Sequence, residues 1–207
     1  PHSCKYTLQK EAEKLDLKLN IAVIEGDDIL SELPSLKNQE VKEMEKDSFL
    51  PNSCLSINAY LGASGIVKAL DEGADIVITG RVVDSAVVLG PLMHEYHWGT
   101  SDYDLLSAGS LAGHIIECGA QCTGGNYTDW KSVKGFVNIG FPVVDVFSNG
   151  DFIVSKPKGT GGLVTFGTVA EQLIYEIGNP SEYILPDVIC DFSKVRITET
   201  GLNEVFV

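Results

Sequence analysis

The chain has 207 residues, enough for one sizeable hydrophobic core or two small domains. Its composition, 44% hydrophobic and 21% charged, is typical of a globular protein in water. The sequence contains no apolar run of about 18 residues, so we predict no membrane-spanning helix. The net charge of −14 argues against nucleic acid and an anionic membrane as partners. A phosphate-bearing small molecule stays compatible, because a local group of lysines or amides can bind it.

The cysteines favour a reduced protein. Their number, five, is odd, and most stand within apolar patterns, which is typical of cytosolic proteins rather than secreted disulfide scaffolds. Cys118 and Cys122 form a CxxxC pair, but no second pair has zinc-ligand spacing, so we predict no metal and no required cofactor. The N-terminus resembles no signal peptide. We expect a cytoplasmic location, and a mitochondrial one stays open for a eukaryotic source.

The first part of the chain alternates between helical and strand patterns. Residues 3–18 predict an amphipathic helix, and 19–24 a buried strand that ends in an acidic turn. The polar stretch 31–50 predicts an exposed excursion or flexible loop. A second helix is predicted at 57–70. The β-branched run 74–81 then predicts a strand, buried and central in a parallel sheet.

A helix predicted at 85–96 completes a βαβ rhythm, and ligands of such sheets gather beyond the carboxyl ends of the strands. Arg81, Asp84 and Ser85 occupy that position. Arg81 could hold a carboxylate or thioester oxygen, with Asp84 orienting it. The alternative is an Arg–Asp ion pair, with Ser85 or Asp84 capping the next helix.

Reactive side chains are densest in residues 109–126. His114 and Glu117 are three residues apart in a predicted helix and therefore share a face. This pair is the best candidate for general acid–base catalysis, with the carboxylate fixing the imidazole tautomer. A glycine-containing turn follows the helix, and we expect it to bind substrate or an anion through Gln121, Thr123, Gly124, Gly125 and Asn126. The alternative is an ordinary core helix whose polar groups cap neighbouring loops.

After residue 130 the pattern becomes β-rich. Ser148-Asn149-Gly150-Asp151 stands between two β-prone runs and predicts a hairpin turn. A helix is predicted at 165–177 and a β-rich run at 187–198. A glycine-rich turn precedes the helix and could bind a phosphate, pyrophosphate or carboxylate through Lys158, Gly159, Thr160, Gly161 and Gly162. The alternative is a simple helix entry, in which Thr168 and Glu171 form a capping box.

These patterns predict an α/β protein with two regions. Residues 1–130 form a Rossmann-like layer on a parallel sheet, and 131–207 form an α+β region with more antiparallel strands. We also predict that at least two of the segments 80–85, 117–126 and 158–162 line one concave pocket, with Arg81 or His114 at its wall.

Five stretches of unusual sequence together resemble one family. They read NAYLGASGIVKALDEGADIVITGRVVDSA, HEYHW, AGHIIECGAQCTGGN, GFPVVDVFSNGDFIVSKPKGTGGLVT and EQLIYEIGNPSEYILPDV. The chain resembles the acyclic terpene utilisation protein AtuA family, formerly a domain of unknown function, from about Cys54 to Asp191. Members of that family carry a further N-terminal segment with a glycine-rich turn. The resemblance therefore implies that the chain is a fragment, and it leaves open whether the chain is active alone.

The resemblance implies a role in the breakdown of citronellol- and geraniol-type terpenes through coenzyme A (CoA) thioesters. On this basis we expect an enzyme or enzyme subunit that performs a hydratase- or lyase-type step on a branched acyl-CoA. His114 with Glu117 would be the base, and Arg81 or the amides of Gly124 and Gly125 would donate to an enolate oxygen. The alternative is a non-catalytic accessory or scaffold subunit of a pathway complex. As partners we expect a small-molecule acyl-CoA or carboxylate, and a homo-oligomer or a pathway partner subunit stays open. A third reading is carbohydrate or hydroxy-acid chemistry at Arg81 and Asp84.

Overall fold

The computed structural model describes residues 1–39, 41 and 48–207 of the chain. Within them the chain forms two compact units, Pro1–Val83 and Asp84–Val207. The fold is of the predicted α/β class, with a parallel strand pair in the first unit and antiparallel sheets in the second.

The first unit is built on a parallel pair of strands with helices packed against it. Strand β1 pairs with strand β2 in the register Ile21↔Ile76 to Ile24↔Thr79. Helices α1 and α3 contact β1, and α3 also contacts β2. The elements of this unit are α1 (His2–Lys14), β1 (Ile21–Ile24), α2 (Leu33–Lys37), α3 (Ser64–Asp71) and β2 (Ile76–Thr79).

The predicted strand at 74–81 exists as β2, but its predicted place in the sheet is wrong. Each of its four residues is half-buried, and in the described residues β2 pairs with β1 alone. The β-branched run predicted a strand covered on both faces and edges, whereas only one edge is occupied here.

Two other segments of this unit differ from the sequence prediction. Helix α3 begins at Ser64 rather than near 57, because the preceding residues form bridges from Asn58 to Asp28 and from Leu61 to Val82. The stretch 31–50, predicted as an exposed excursion, contains α2. Residues 40 and 42–47 of that stretch lie outside the described residues.

The second unit is organised around one long buried helix. Helices α4 (Ala86–Tyr96) and α5 (Tyr103–Glu117) pack against each other, and α5 also contacts α6 (Phe166–Ile174). Residues 109 to 115 of α5 are all buried. Glycine allows this close packing, because a Cβ on Gly113 would lie 2.7 Å from the carbonyl oxygen of Ser85 at the start of α4.

The strands of the second unit form antiparallel sheets. Strand β3 (Val143–Val146) and strand β4 (Phe152–Ser155) make the predicted hairpin, closed by the Phe147 amide donating to the Asp151 carbonyl. A two-stranded sheet joins β5 (Tyr183–Ile184) to β6 (Ile189–Cys190). Strands β7 (Thr198–Gly201) and β8 (Glu204–Phe206) complete a four-stranded sheet in the order β3-β4-β8-β7.

Helix α6 has a capping box one turn earlier than the sequence suggested. Thr165 is its N-cap residue and accepts from the Thr168 amide, while the Thr168 hydroxyl accepts from the Thr165 amide. Thr168 therefore closes the box instead of opening one with Glu171.

The boundary between the units lies at Val83 and Asp84, earlier than the change of pattern near residue 130. Helices α4 and α5 read as part of a βαβ layer. They instead belong to the second unit, because α5 packs on α4, α6 and β3.

The close approach at Gly113 predicts a loss of stability when a methyl group is added. Gly113→Ala should lower the free energy of unfolding by about 1–3 kcal/mol, because the methyl group meets rigid backbone. Urea denaturation followed by tryptophan fluorescence measures this, since both tryptophans lie in the second unit. Gly178→Ala is the control, as no atom lies within 4 Å of its added Cβ. Equal stability of the two variants would contradict the packing described.

Candidate functional site

The last two turns of α5 carry buried polar groups that bind α6. His114, only 6% exposed, places Nε2 3.2 Å from the Leu173 carbonyl oxygen. In return, the wholly buried Gln172 donates from Nε2 to the His114 carbonyl at 2.8 Å. Two reciprocal hydrogen bonds therefore join the helices.

The predicted tautomer-fixing bond between His114 and Glu117 is not the one the structure shows. Nε2 of His114 faces the Leu173 carbonyl, and a carbonyl can only accept, so Nε2 must carry the proton. Glu117 Oε1 instead accepts from Cys118 Sγ at 2.9 Å. His114 is thus held by a structural hydrogen bond at Nε2, and Glu117 is half-buried beside Cys118.

Two groups near the C-terminal end of α5, the Cys118 thiol and the Tyr183 hydroxyl, have raised pKa values and so keep their protons at neutral pH. Burial and the Glu117 carboxylate raise the pKa of Cys118 to about 11, so this thiol is not a thiolate at neutral pH. Burial is the largest cause of the raised pKa of Tyr183, and the charge of Asp84 is the next. The Glu117 carboxylate raises this pKa further. The Tyr183 ring lies 6.3 Å from that of His114, centroid to centroid. Tyr183 is therefore a neutral hydroxyl donor near carboxylates.

Asp84 and Ser85 lie where the second unit begins. Ser85 is buried and is the N-cap residue of α4, but its side chain makes no capping hydrogen bond. Asp84 is exposed, and its charge acts on Tyr183.

The turn after α5 is closed by its own backbone. The buried Thr123 hydroxyl donates to the Gly140 carbonyl, and the Ala120 carbonyl oxygen lies 3.1 Å from the same hydroxyl. The Gly124 amide donates to Gln121, and the Gly125 amide donates to Ala120 at 2.8 Å. Both amides, which the sequence suggested as donors to an enolate oxygen, are thus occupied within the turn.

The second glycine turn, 158–162, is closed in the same way. The amides of Thr160, Gly161 and Gly162 donate to the carbonyls of Pro157, Asn138 and Lys134. These amides are not available to an anion. The exposed Lys158 side chain and Gly159, whose φ is +79°, stay on the surface of the turn.

The two glycine turns meet. The Leu163 amide donates to the Thr123 carbonyl at 2.8 Å, and a Cβ on Gly162 would lie 2.8 Å from the same oxygen. They are thus joined through backbone, as one rigid platform.

An open pocket of about 410 Å³ lies beside this platform. Trp130 and Phe136 are 58% and 45% exposed on it. Its lining residues are Gly125, Asn126, Tyr127, Trp130 and Phe136. Gly125 and Asn126 belong to the predicted segment 117–126, whereas none of the lining residues comes from 158–162. The shared pocket with Arg81 or His114 at its wall stays a prediction.

Arg81 belongs to the first unit, at the carboxyl end of β2. Its guanidinium lies 5.6 Å from the centroid of the Tyr60 ring. The Arg81 amide is the largest cause of the lowered pKa of Asp27, which also accepts from Asn58 Nδ2 at 2.9 Å. Asp27 therefore joins the segments around Asn58 and Arg81 by hydrogen bonds. The Arg81 side chain itself is exposed.

Neither a metal site nor a membrane span is found in the part of the chain that the structure describes. No three His, Cys, Asp or Glu residues there are grouped to hold a metal ion. None of the helices there is long and apolar enough to cross a membrane.

The comparison with family models covers the whole chain. The model described as "Acyclic terpene utilisation family protein AtuA" matches residues 1–207. The chain belongs to the AtuA family. The match includes residues 1–53, which precede the stretches that carry the resemblance. No curated protein and no solved structure matches the chain.

Sequence reasoning missed three residues of this site. Tyr183 reads as an ordinary strand aromatic, and Gln172 as a polar position on α6. Trp130 follows a Thr-Asp pair, and a tryptophan in a polar loop was the available signal of a binding surface, which its 58% exposure supports.

The buried thiols predict how stability depends on pH. Burial raises the pKa of Cys122 to about 12, whereas an unfolded thiol titrates near about 8.5. The unfolded state therefore loses this proton first, and the stabilisation present below that pH is lost as pH rises. We expect the free energy of unfolding to fall by about 2 kcal/mol between pH 8 and 10 from Cys122 alone.

Urea unfolding at the two pH values measures this loss. Cys122→Ala should reduce the difference between them, although it lowers stability at both through the cavity it leaves. Cys4→Ala, at an exposed thiol, is the control and should leave the difference unchanged. A pH dependence that is the same in all three proteins would contradict the role of Cys122.

Proposed function

We propose that this protein acts in acyclic terpene utilisation as an enzyme, or an enzyme subunit, for a hydratase- or lyase-type step on a branched acyl-CoA. Family membership supports the pathway. The observation that carries the chemistry is at the end of α5, where Glu117 is half-buried and the Tyr183 ring lies 6.3 Å from the ring of His114, one turn before Glu117. The Glu117 charge also contributes to the raised pKa of Tyr183.

In the hydration direction, Glu117 takes a proton from water while the water oxygen bonds to the β-carbon of an enoyl thioester. The electron pair of the C=C bond moves toward the thioester carbonyl. Glu117 then returns the proton to the α-carbon, so that the protein ends as it began. Dehydration runs through the same steps in reverse.

Tyr183 donates a hydrogen bond to the thioester oxygen, where negative charge collects. Its raised pKa suits this role, because the hydroxyl keeps its proton beside Asp84 and Glu117. His114 contributes by position: its bond to Leu173 holds the turn of α5 that presents Glu117. Cys118 donates to Glu117 and so orients the carboxylate.

Removing the base should remove the activity. Glu117→Gln keeps the size of the side chain and should lower kcat by about 10²–10⁴-fold. Turnover of geranyl- and citronellyl-type enoyl- and 3-hydroxyacyl-CoA esters, followed by mass spectrometry, measures this. Glu95→Gln, exposed on α4, is the matched control and should keep full activity. Equal rates in Glu117→Gln and the wild type would exclude Glu117 as the base.

Removing the hydroxyl of Tyr183 tests the hydrogen-bond donor separately. Tyr183→Phe should lower kcat by about 10²–10³-fold and change KM little, because the bond strengthens in the transition state. Tyr103→Phe, an exposed tyrosine at the start of α5, is the matched control. A change in KM alone would assign Tyr183 to substrate binding instead.

A further inference from the structure

Basic side chains are concentrated beside the aromatic pocket. In a chain with 15 basic residues and a net charge of −14, four lysines lie in the loops 125–136 and 156–162: Lys131, Lys134, Lys156 and Lys158. The two loops together contain a single carboxylate, Asp129. A second carboxylate, Glu171, reaches the first loop and accepts the Thr128 amide at 3.0 Å. The local charge is thus opposite in sign to that of the whole protein.

Backbone hydrogen bonds fix these two loops against each other. The Gly162 amide donates to the Lys134 carbonyl at 2.7 Å, and the Gly161 amide donates to the Asn138 carbonyl at 3.0 Å. In return, the Gly140 amide donates to the Gly161 carbonyl at 3.1 Å. A side chain at Gly161 would collide with the backbone of Gly135. The lysines of both loops therefore stand on one rigid surface.

Three of the four lysines make no ion pair with the described residues: Lys131, Lys134 and Lys158. Lys156 is used internally, because its Nζ donates to the Thr160 carbonyl at 2.8 Å. Among the lysines elsewhere, Lys14 pairs with Glu11, Lys68 with Glu72 and Lys194 with Asp191. Unpaired ammonium groups in an acidic protein are suited to a multiply charged anion.

The pocket lined by Trp130 and Phe136 has the chemistry of a nucleobase site. Exposed faces of Trp130 and Phe136 offer a stacking surface for a flat ring. The exposed Asn126 amide has both donors and an acceptor, which can pair with the edge of a base. Lys131 Nζ lies 5.9 Å from the centroid of the Trp130 ring, so a positive charge stands directly beside that surface.

We propose that this pocket binds an adenine nucleotide, specifically the adenosine 3′,5′-bisphosphate portion of CoA. The adenine stacks on Trp130 and Phe136, and the phosphates lie on Lys131, Lys134 and Lys158. An aliphatic chain would use the aromatic faces but not the unpaired lysines. The choice of CoA among nucleotides rests on the proposed function, whereas the nucleotide site itself rests on the pocket and its charges.

Titration of the protein with adenosine 3′,5′-bisphosphate tests the site without any chemistry. Tryptophan fluorescence is the readout, because Trp130 is 58% exposed and the other tryptophan, Trp98, is 6% exposed. Binding should quench Trp130. Calorimetry gives the affinity of the variants, in which Trp130→Ala should weaken binding about tenfold or more and Trp130→Tyr should restore most of it.

Variants of charged and aromatic residues separate the parts of the site. Lys131→Ala and Lys134→Ala should each weaken the bisphosphate several-fold and leave adenosine unchanged, with the loss shrinking at high salt. Lys68→Ala and Tyr103→Ala are the matched controls, since both residues are exposed and neither lines the pocket. A control variant that weakens binding as much as the pocket variants would overturn the assignment.

Binding of two other ligands, inorganic pyrophosphate and geraniol, could overturn the proposed nucleotide site. Inorganic pyrophosphate that binds as tightly as the bisphosphate, with no effect of Trp130→Ala, would show an anion site only and overturn the proposal. Geraniol that binds at Trp130 while the bisphosphate does not would assign the pocket to an apolar chain and also overturn it.

The proposed function can fail separately. Bisphosphate binding with the expected variant effects, but no turnover of any acyl-CoA, would keep the nucleotide site and remove the hydratase or lyase step. Turnover that depends on Glu117, with a KM unchanged in Trp130→Ala and Lys134→Ala, would keep the enzyme and remove the nucleotide site.

Discussion

The second unit depends on one exchange of hydrogen bonds between buried groups of α5 and α6. His114 Nε2 faces the Leu173 carbonyl, and Gln172 Nε2 donates to the His114 carbonyl. Breaking either bond would leave a buried polar group unsatisfied, at a cost of about 1–3 kcal/mol. The exchange is incomplete, because Gln172 Oε1 and Ser110 Oγ have no partner among the described residues. The helices are thus held in one register, which fixes where Glu117 and Cys118 stand.

The glycine turns and the helix end have different tasks. The glycine amides Gly124, Gly125, Gly161 and Gly162 of the two turns donate to carbonyls of the protein, so these turns serve as scaffold and do not bind a ligand through those amides. Side chains carry the proposed chemistry instead. Glu117 and Tyr183 are proposed to act on the acyl group, and Trp130 with the nearby lysines is proposed to bind the nucleotide portion of CoA. Functional side chains on loops that a rigid scaffold positions are the usual arrangement of binding sites.

Local patterns predicted the local elements of this protein. The strand at 76–79, helix α4 and the Asn149-Gly150 hairpin each follow from residues adjacent in sequence. The site needed contacts between distant residues, which no pattern contains. His114 meets a carbonyl 59 residues away instead of the carboxylate one turn along. For the same reason, the sequence predicted free amides at Gly161 and Gly162, where the remote carbonyls of Asn138 and Lys134 in fact accept from them.

The central claim is that Glu117 moves a proton between water and the α-carbon of a branched acyl thioester. Incubation of a branched 3-hydroxyacyl-CoA in D₂O tests it most directly, with mass spectrometry locating the deuterium. Reversible dehydration by the wild type should place deuterium at the α-carbon, and Glu117→Gln should place none there in the same time. No exchange by the wild type, or equal exchange by both proteins, would contradict the account.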